Sequence, residues 1–256
     1  MSSIGKVEAY LRRKISEKGA LHFTLIDPEK SKDEKAARLA EAAEKAGSSA
    51  ILLGGSTIAS QIELDQTAKT IKEHVEIPLI LFPGNITGIT GHADAIFFMS
   101  LLNSANPYFL VDAQAIAAPT IKRLGLEAIP LGYIILGSGG AAGFIGYARP
   151  IPYSKPSLAL AYALAGQYLG KRLIYLEAGS GAEEPVPPRV VSTVKQVLEV
   201  PLIVGGGIRK PEQAEAAVKA GADIIVTGTI VEEEGSEVRI RSLVEAVEKA
   251  ARERVR

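Results

Sequence analysis

Pro201-Leu202-Ile203-Val204 is an apolar run that stops on Gly205-Gly206-Gly207, and Asp223-Ile224-Ile225-Val226 likewise runs into Thr227-Gly228-Thr229. Short β-branched runs ending on glycine are the pattern of buried parallel strands that open into loops on one face. Working outward, six more such runs are found: Leu21 to Ile26, Ala50 to Leu53, Pro78 to Phe82, Ala95 to Phe98, Ala128 to Leu136 and Leu173 to Leu176. Amphipathic stretches follow several of them, including Asp33 to Ala46, Gln61 to His74, Pro187 to Leu198 and Pro211 to Ala220. Eight units in 256 residues come to about 30 residues each, the size of one βα unit. The expectation is a single domain, residues 1–256, folded as an α/β chain of the TIM (β/α)₈ barrel type. A doubly wound sheet also alternates this way, so the count alone decides only part of the question. One unit departs from the pattern. Gly84 to Gly91 carries three glycines, an asparagine and little helical period, so the third helix is expected to be missing or replaced.

Composition narrows the function classes. Hydrophobic residues make up 47% of the chain, enough to bury a large core, and the formal net charge is +0. No global field favours nucleic acid or an anionic surface, so an anionic ligand must be held locally. The absence of Cys excludes disulfides, thiolate metal sites and a cysteine nucleophile. No basic segment followed by an apolar core opens the chain, and a cytoplasmic location is expected. Leu158 to Leu169 is apolar but short and broken by Gly166 and Gln167, which reads as a buried helix rather than a membrane span.

The strand ends carry the chemistry. Glycine lets backbone N–H groups approach an anion closely, and barrels commonly bind phosphate on the loops after strands seven and eight. Gly206, Gly207, Gly228 and Thr229 fit that role, although glycine runs also serve as plain turns. Strand six leads into Tyr175-Leu176-Glu177-Ala178-Gly179-Ser180-Gly181. There Glu177 can accept a hydroxyl proton or orient a diol, while Ser180 and the amides of Gly179 and Gly181 complete a phosphate cradle. A solvated rim glutamate beside a turn is the plainer alternative. Strand one ends in Asp27-Pro28, and strand two in Ser56-Thr57. Magnesium keeps several waters and takes phosphate oxygens, so Asp27 with Ser56 or Thr57 is a sufficient metal set. A turn at Asp27-Pro28 and a helix cap at Ser56 is the structural reading of the same residues. His22, His74 and His92 lack ligand spacing, which argues against a zinc enzyme. His22 is expected to be packed or hydrogen-bonded in strand one, and His74 to end a helix.

Several segments together are more specific than any glycine loop: Thr24-Leu25-Ile26-Asp27-Pro28-Glu29-Lys30, Gly54-Gly55-Ser56-Thr57, Phe82-Pro83-Gly84-Asn85, Tyr175 to Gly181 and Val204-Gly205-Gly206-Gly207-Ile208-Arg209. On them the chain resembles the geranylgeranylglyceryl phosphate synthases, to which bacterial heptaprenylglyceryl phosphate synthases are related. The resemblance implies transfer of a geranylgeranyl group from its diphosphate to the primary hydroxyl of sn-glycerol 1-phosphate, with Mg²⁺, in a barrel whose third helix is replaced. It implies Asp27 and Ser56 as metal positions. It further implies Tyr175, Leu176, Glu177, Ala178, Gly179, Ser180, Gly181, Gly206, Gly207, Gly228 and Thr229 as the glycerol-phosphate site, in which Glu177, by its place at the end of strand six, is the expected catalytic base. Asn103 to Tyr108 is similar to the longer loop of the subgroup distinct from the bacterial enzymes.

Such a reaction needs an apolar groove, for which Ile96, Phe97, Phe98, Met99, Leu101, Tyr133, Ile135, Phe144 and Tyr147 are candidates, and cations for the diphosphate, for which Lys30, Arg149 and Lys155 are candidates. No repeated aspartate-rich pair is present, so the metal site would be sparse. A homo-oligomer and a transient membrane contact are expected of a chain that releases an insoluble product. The competing readings are a sugar-phosphate isomerase, which would need an acid facing a base, and a non-catalytic phosphate-binding protein.

Overall fold

The computed structural model describes residues 4–55, 60–228 and 236–255. Eight parallel strands close into a barrel in chain order: β1 (Leu21–Ile26), β2 (Ala50–Leu53), β3 (Leu79–Leu81), β4 (Ala95–Leu101), β5 (Glu127–Ile135), β6 (Leu173–Glu177), β7 (Leu202–Gly205) and β8 (Ile224–Thr227). β8 pairs back onto β1, with Leu21 opposite Ile224 and Thr24 opposite Thr227. The apolar runs are therefore the strands, and closure separates the barrel from the open-sheet alternative.

Side chains alternate across each strand and so divide the core into two layers. Leu21 and Phe23, Ile129 and Leu131, and Ile203 fill the barrel interior, whereas Ile26, Ile51, Ile174 and Val204 pack outward beneath the helices. Helix α2 (Asp33–Ala46) buries Ala36, Ala37, Ala40 and Ala43, a spacing that keeps one face on the sheet, and it stops at Gly47 in a left-handed conformation at φ 101°. Helix α3 (Gln61–His74) begins at Ser60, whose Oγ accepts the Glu63 N–H at 3.3 Å. Helices α7 (Pro188–Lys195), α8 (Pro211–Lys219) and α9 (Ser236–Val255) follow β6, β7 and β8. Helix α1 (Lys6–Lys18) precedes the barrel, and the Glu127 carboxylate at the start of β5 accepts the N–H groups of Val7 and Glu8 at 2.7 and 2.8 Å.

Between Leu81 and Ala95 no helix forms, as the sequence predicts. Pro83, Gly84, Gly88 and Gly91 each disfavour a helix, and the segment folds back on itself so closely that a Cβ on Gly88 would lie 2.8 Å from that of Pro83. After β4 the chain enters a single π-helical turn (Tyr108–Asp112) that runs into α4 (Ala113–Leu124). Asn103 knits this corner together: its amide donates to the carbonyls of Ile135 and Arg149 and its Oδ1 accepts the Ile135 N–H.

The apolar stretch from Leu158 to Leu169 is not a buried helix. It belongs to α6 (Pro156–Tyr168), which follows the short α5 (Gly140–Ile145), buries only Ala159, Ala163 and Gly166 and leaves Leu158, Tyr168 and the adjoining Leu169 exposed. The helix is apolar on every side because it carries no charged residue, so periodicity could not show which side faces the sheet. Among the described residues no helix is long and apolar enough to cross a membrane.

His22 is buried on β1, with Nδ1 2.8 Å from Ser48 Oγ and Nε2 2.9 Å from Thr227 Oγ1. Burial lowers its pKa to about 3, so it is neutral. His74 ends α3, its Nδ1 2.7 Å from the Thr70 carbonyl oxygen, and His92 Nε2 lies 3.4 Å from Asp65.

Candidate active site

The carboxyl ends of the strands surround one cavity of about 350 Å³. Glu177, the last residue of β6, stands at its base with 5% of its surface exposed. The Gly179 N–H donates to Glu177 Oε1 at 2.7 Å. Burial raises the Glu177 pKa, and hydrogen bonding from the Gly179 N–H and the hydroxyls of Tyr133 and Tyr175 pulls it back in part. Burial and the neighbouring Glu177 charge push both tyrosines well above the usual phenol range, so they remain donors. β-Sheet register creates this grouping by placing Tyr133 opposite Tyr175 and Ile135 opposite Glu177. Phe82 stacks on Tyr175 at 5.4 Å and meets Tyr133 edge-on at 5.6 Å, giving the carboxylate an aromatic floor.

Ser180, Gly181, Gly206, Gly207 and Gly228 line the same cavity. Gly179, Gly181, Gly206 and Gly207 all have positive φ, and a Cβ on Gly206 would lie 2.8 Å from the Gly179 nitrogen and closer still to Glu177 Oε1. The β6 and β7 loops thus touch through glycine backbone. Among the described residues no acceptor meets the N–H groups of Ser180, Gly181, Gly206 or Gly207, a set able to receive an anion. The Gly179 N–H is committed to Glu177 and is not part of that set. Leu176 on β6 and Ala178 at the start of the loop have side chains that pack outward in the helix-facing core. Thr229 lies outside the described residues.

Asp27 and Lys30 line the opposite side of the cavity. Asp27 Oδ1 accepts the Glu29 N–H at 3.0 Å, and Oδ2 stands 3.7 Å from Lys30 Nζ. Gly55 passes so close that a Cβ there would lie 2.8 Å from Asp27 Oδ1. Ser56 and Thr57, the partners expected from strand two, lie outside the described residues. Among the described residues no group of three or more His, Cys, Asp or Glu side chains is placed to hold a metal.

From this mouth the cavity runs over the barrel edge into the gap left by the absent helix. Ile86 and Ile89 form one wall, Ile96 and Phe98 the bed, and Ala117 and Ile121 of α4 the other wall. The Tyr108 hydroxyl donates to Asn85 Oδ1 at 2.7 Å and ties the two walls together at the surface. Ile96, Phe97, Phe98, Met99, Leu101 and Tyr133 line the cavity as the sequence suggests. Ile135, Phe144 and Tyr147 do not. Ile135 is wholly buried beneath Gly139 and Gly143, while Phe144 and Tyr147 face outward. Of the proposed cations Lys30 is at the cavity and Arg149 and Lys155 are not. Tyr133 as a partner of Glu177 and Arg209 as a cavity cation were not singled out from sequence. A tyrosine two residues before the end of β5, matching Tyr175 two residues before Glu177 on β6, is the available signal for the first, and Arg209 gives none beyond its place after the glycines.

This geometry has close counterparts. The geranylgeranylglyceryl phosphate synthase of Thermococcus kodakarensis is 54% identical over 98% of this chain and 100% of its own. That of Pyrococcus furiosus is 58% identical over 91% of this chain and 92% of its own. The crystal structure of (S)-3-O-geranylgeranylglyceryl phosphate synthase from Thermoplasma acidophilum, in complex with sn-glycerol-1-phosphate, superposes with a TM-score of 0.92 at 42% identity, covering 96% of this chain and 100% of that one. The PcrB family model matches residues 12–247, and the chain belongs to the PcrB family.

Proposed function

We propose that this chain transfers the geranylgeranyl group from its diphosphate to the primary hydroxyl of sn-glycerol 1-phosphate, forming an ether and releasing diphosphate. The observation that carries the reading is a single cavity that joins a glycine-amide cradle and a buried carboxylate to an apolar groove. Neither a sugar-phosphate isomerase nor a simple phosphate binder has use for that groove. The names of the relatives supply the substrates.

In this reading the phosphate is held by the N–H groups of Ser180, Gly181, Gly206 and Gly207, with Gly228 and Thr229 on the β8 side. Glu177 orients the glycerol hydroxyls and removes the proton from the attacking oxygen as the C–O bond forms. Tyr133 and Tyr175 fix its carboxylate against rotation, so no reorganisation is needed at that moment. The prenyl tail lies along Ile96 and Phe98, which sets the reacting carbon over the aromatic floor.

Asp27 is the residue that would hold magnesium. It is a single carboxylate on the cavity wall, with one oxygen tied to the Glu29 N–H, and suits a hydrated cation that takes its remaining ligands from water and phosphate. Bound there, the ion would neutralise charge on the departing diphosphate, with Lys30 adding a second positive charge. Ser56 or Thr57 completes the set. The exposed Leu158 and Tyr168 of α6 with Leu169 are the proposed contact of a homo-oligomer, which light scattering would test. Transient membrane contact in the cytoplasm follows from the insolubility of a C20 product.

The decisive experiment incubates the chain with labelled sn-glycerol 1-phosphate, Mg²⁺ and prenyl diphosphates of several lengths. A phosphorylated glycerol ether, formed best from the C20 donor, is expected. Absence of any ether product and of diphosphate release refutes the function, and preference for another donor refutes the chain length alone.

A further inference from the structure

Arg209 follows the β7 glycines, and its guanidinium points back toward the β6 loop. Its Nη1 donates to the Ala182 carbonyl at 2.7 Å and more weakly to that of Glu183 at 3.4 Å, and Nη2 donates to the Gly181 carbonyl at 3.2 Å. Its own N–H is held by Gln213 Oε1 at 2.8 Å, at the start of α8. Close beside it, a Cβ on Gly207 would lie 2.7 Å from the Glu184 carbonyl and 2.8 Å from the Pro185 nitrogen. The β6 and β7 loops are therefore joined twice, once by close glycine packing and once by a charged fork.

We propose that Arg209 is the positioning residue of the anion cradle. Successive carbonyls turned toward one guanidinium fix the peptide planes of the β6 loop. Those planes carry the 182, 183 and 184 N–H groups, with the Ala182 N–H turned back on the Gly179 carbonyl, so the fork anchors the end of the loop that Ser180 and Gly181 begin, and Arg209 adds a positive charge that lines the same cavity. A planar fork can span several carbonyls at once; a lysine ammonium supplies the charge without the fixed geometry. Arg209 thus selects for the phosphorylated glycerol rather than for the prenyl donor, whose tail enters from the other end. The inference rests on the proposed transferase reading for its substrate, but the effect on the loop amides does not require turnover.

Two measurements on Arg209→Gln and Arg209→Lys test it. In steady-state assays Arg209→Gln is expected to raise the KM for sn-glycerol 1-phosphate tenfold or more, with kcat within about threefold and the prenyl diphosphate KM within about twofold. Arg209→Lys should fall between. In hydrogen exchange without prenyl donor, inorganic phosphate should protect the Ser180 and Gly181 amides in the parent, and the protection should be weaker in Arg209→Lys and lost in Arg209→Gln. A glycerol-phosphate KM within twofold of the parent, with undiminished phosphate protection, overturns the proposal. So does an equal loss for both substrates, which marks general disruption; if Arg209→Gln does not fold, the Arg209→Lys comparison decides alone. If the parent makes no ether yet phosphate protects its loop and not that of the glutamine variant, the function reading fails and the role of Arg209 stands.

Discussion

Glu177→Gln separates proton removal from packing. The glutamine carbonyl can keep the Gly179 N–H bond that the parent makes at 2.7 Å, and the tyrosine hydroxyls can rotate to serve an amide. Trading a charged acceptor for a neutral one weakens these bonds by roughly 1 kcal/mol each, while removal of a buried ionised group offsets the loss. The sign of the pH effect follows from the direction of the pKa shift. Burial raises the folded pKa above the unfolded one, so the contribution of Glu177 to stability is fully present below the unfolded pKa and is lost as pH rises through the folded value. Relative to the parent, the variant should therefore gain stability with rising pH, and at neutral pH its Tm should lie within a few degrees. Turnover should fall roughly 10²–10⁴-fold, about 3–5 kcal/mol of barrier, if Glu177 is the base. The rising limb of kcat/KM with pH should disappear with it. Ether product and diphosphate are quantified across pH beside thermal unfolding of both proteins. Unchanged turnover with weaker glycerol-phosphate affinity would make Glu177 a binding residue, and lost turnover with a large drop in Tm would make it structural.

Four further outcomes are expected. Asp27→Asn should fold but lose most magnesium-dependent turnover, since a neutral amide holds a hydrated dication poorly; equal rates with and without chelator in the parent would contradict this. Gly206→Val should raise the glycerol-phosphate KM and lower turnover while calorimetry shows little change for the prenyl diphosphate, because a side chain there meets Glu177 and the Gly179 nitrogen. Ala117→Phe should fill the groove and favour a C15 over a C20 donor; up to about 4 kcal/mol is at stake for one five-carbon unit at roughly 0.8 per carbon, and unchanged preference in competition assays would place the tail elsewhere. His22 has a folded pKa lowered from 6.5 to about 3, so its stabilisation is present above the unfolded value and lost as pH falls. Chemical denaturation at pH 7 and 4.5 should find the acid loss about 2–3 kcal/mol smaller in His22→Gln.

What was legible in the sequence was local. The strands could be read because each is a short apolar run, and the missing helix because Pro83, Gly84, Gly88 and Gly91 oppose helix formation whatever surrounds them. The Glu177 end of the site was legible because its residues sit together on one strand end. Relations across strands were not. Tyr133 reaches Glu177 only through the β5–β6 register, and no period in either strand specifies that register. Apolar character places Phe144, Tyr147 and Ile135 in the groove, but it reports a preference for burial or contact and not its direction. Arg209 carries no such signal in the sequence beyond its place in the Val204–Arg209 motif, and only the folded loop shows three carbonyls converging on it.

The groove shows how a local irregularity opens an apolar channel. In a regular barrel a helix would cover the outward faces of β3 and β4; here that place is left to a coil from Phe82 to Asp94 and to α4 leaning in from beyond. Ala113 and Ala117, one turn apart on α4, line the gap with side chains that end at Cβ, so the walls meet loosely enough to leave a channel. A hydrocarbon chain laid there would complete the burial that the absent helix would have supplied, and would do so continuously with the mouth where Glu177 stands. Broken helical periodicity and paired alanines on the next helix together open a channel with the dimensions of an extended apolar ligand, because either alone would leave the gap closed or its walls apart.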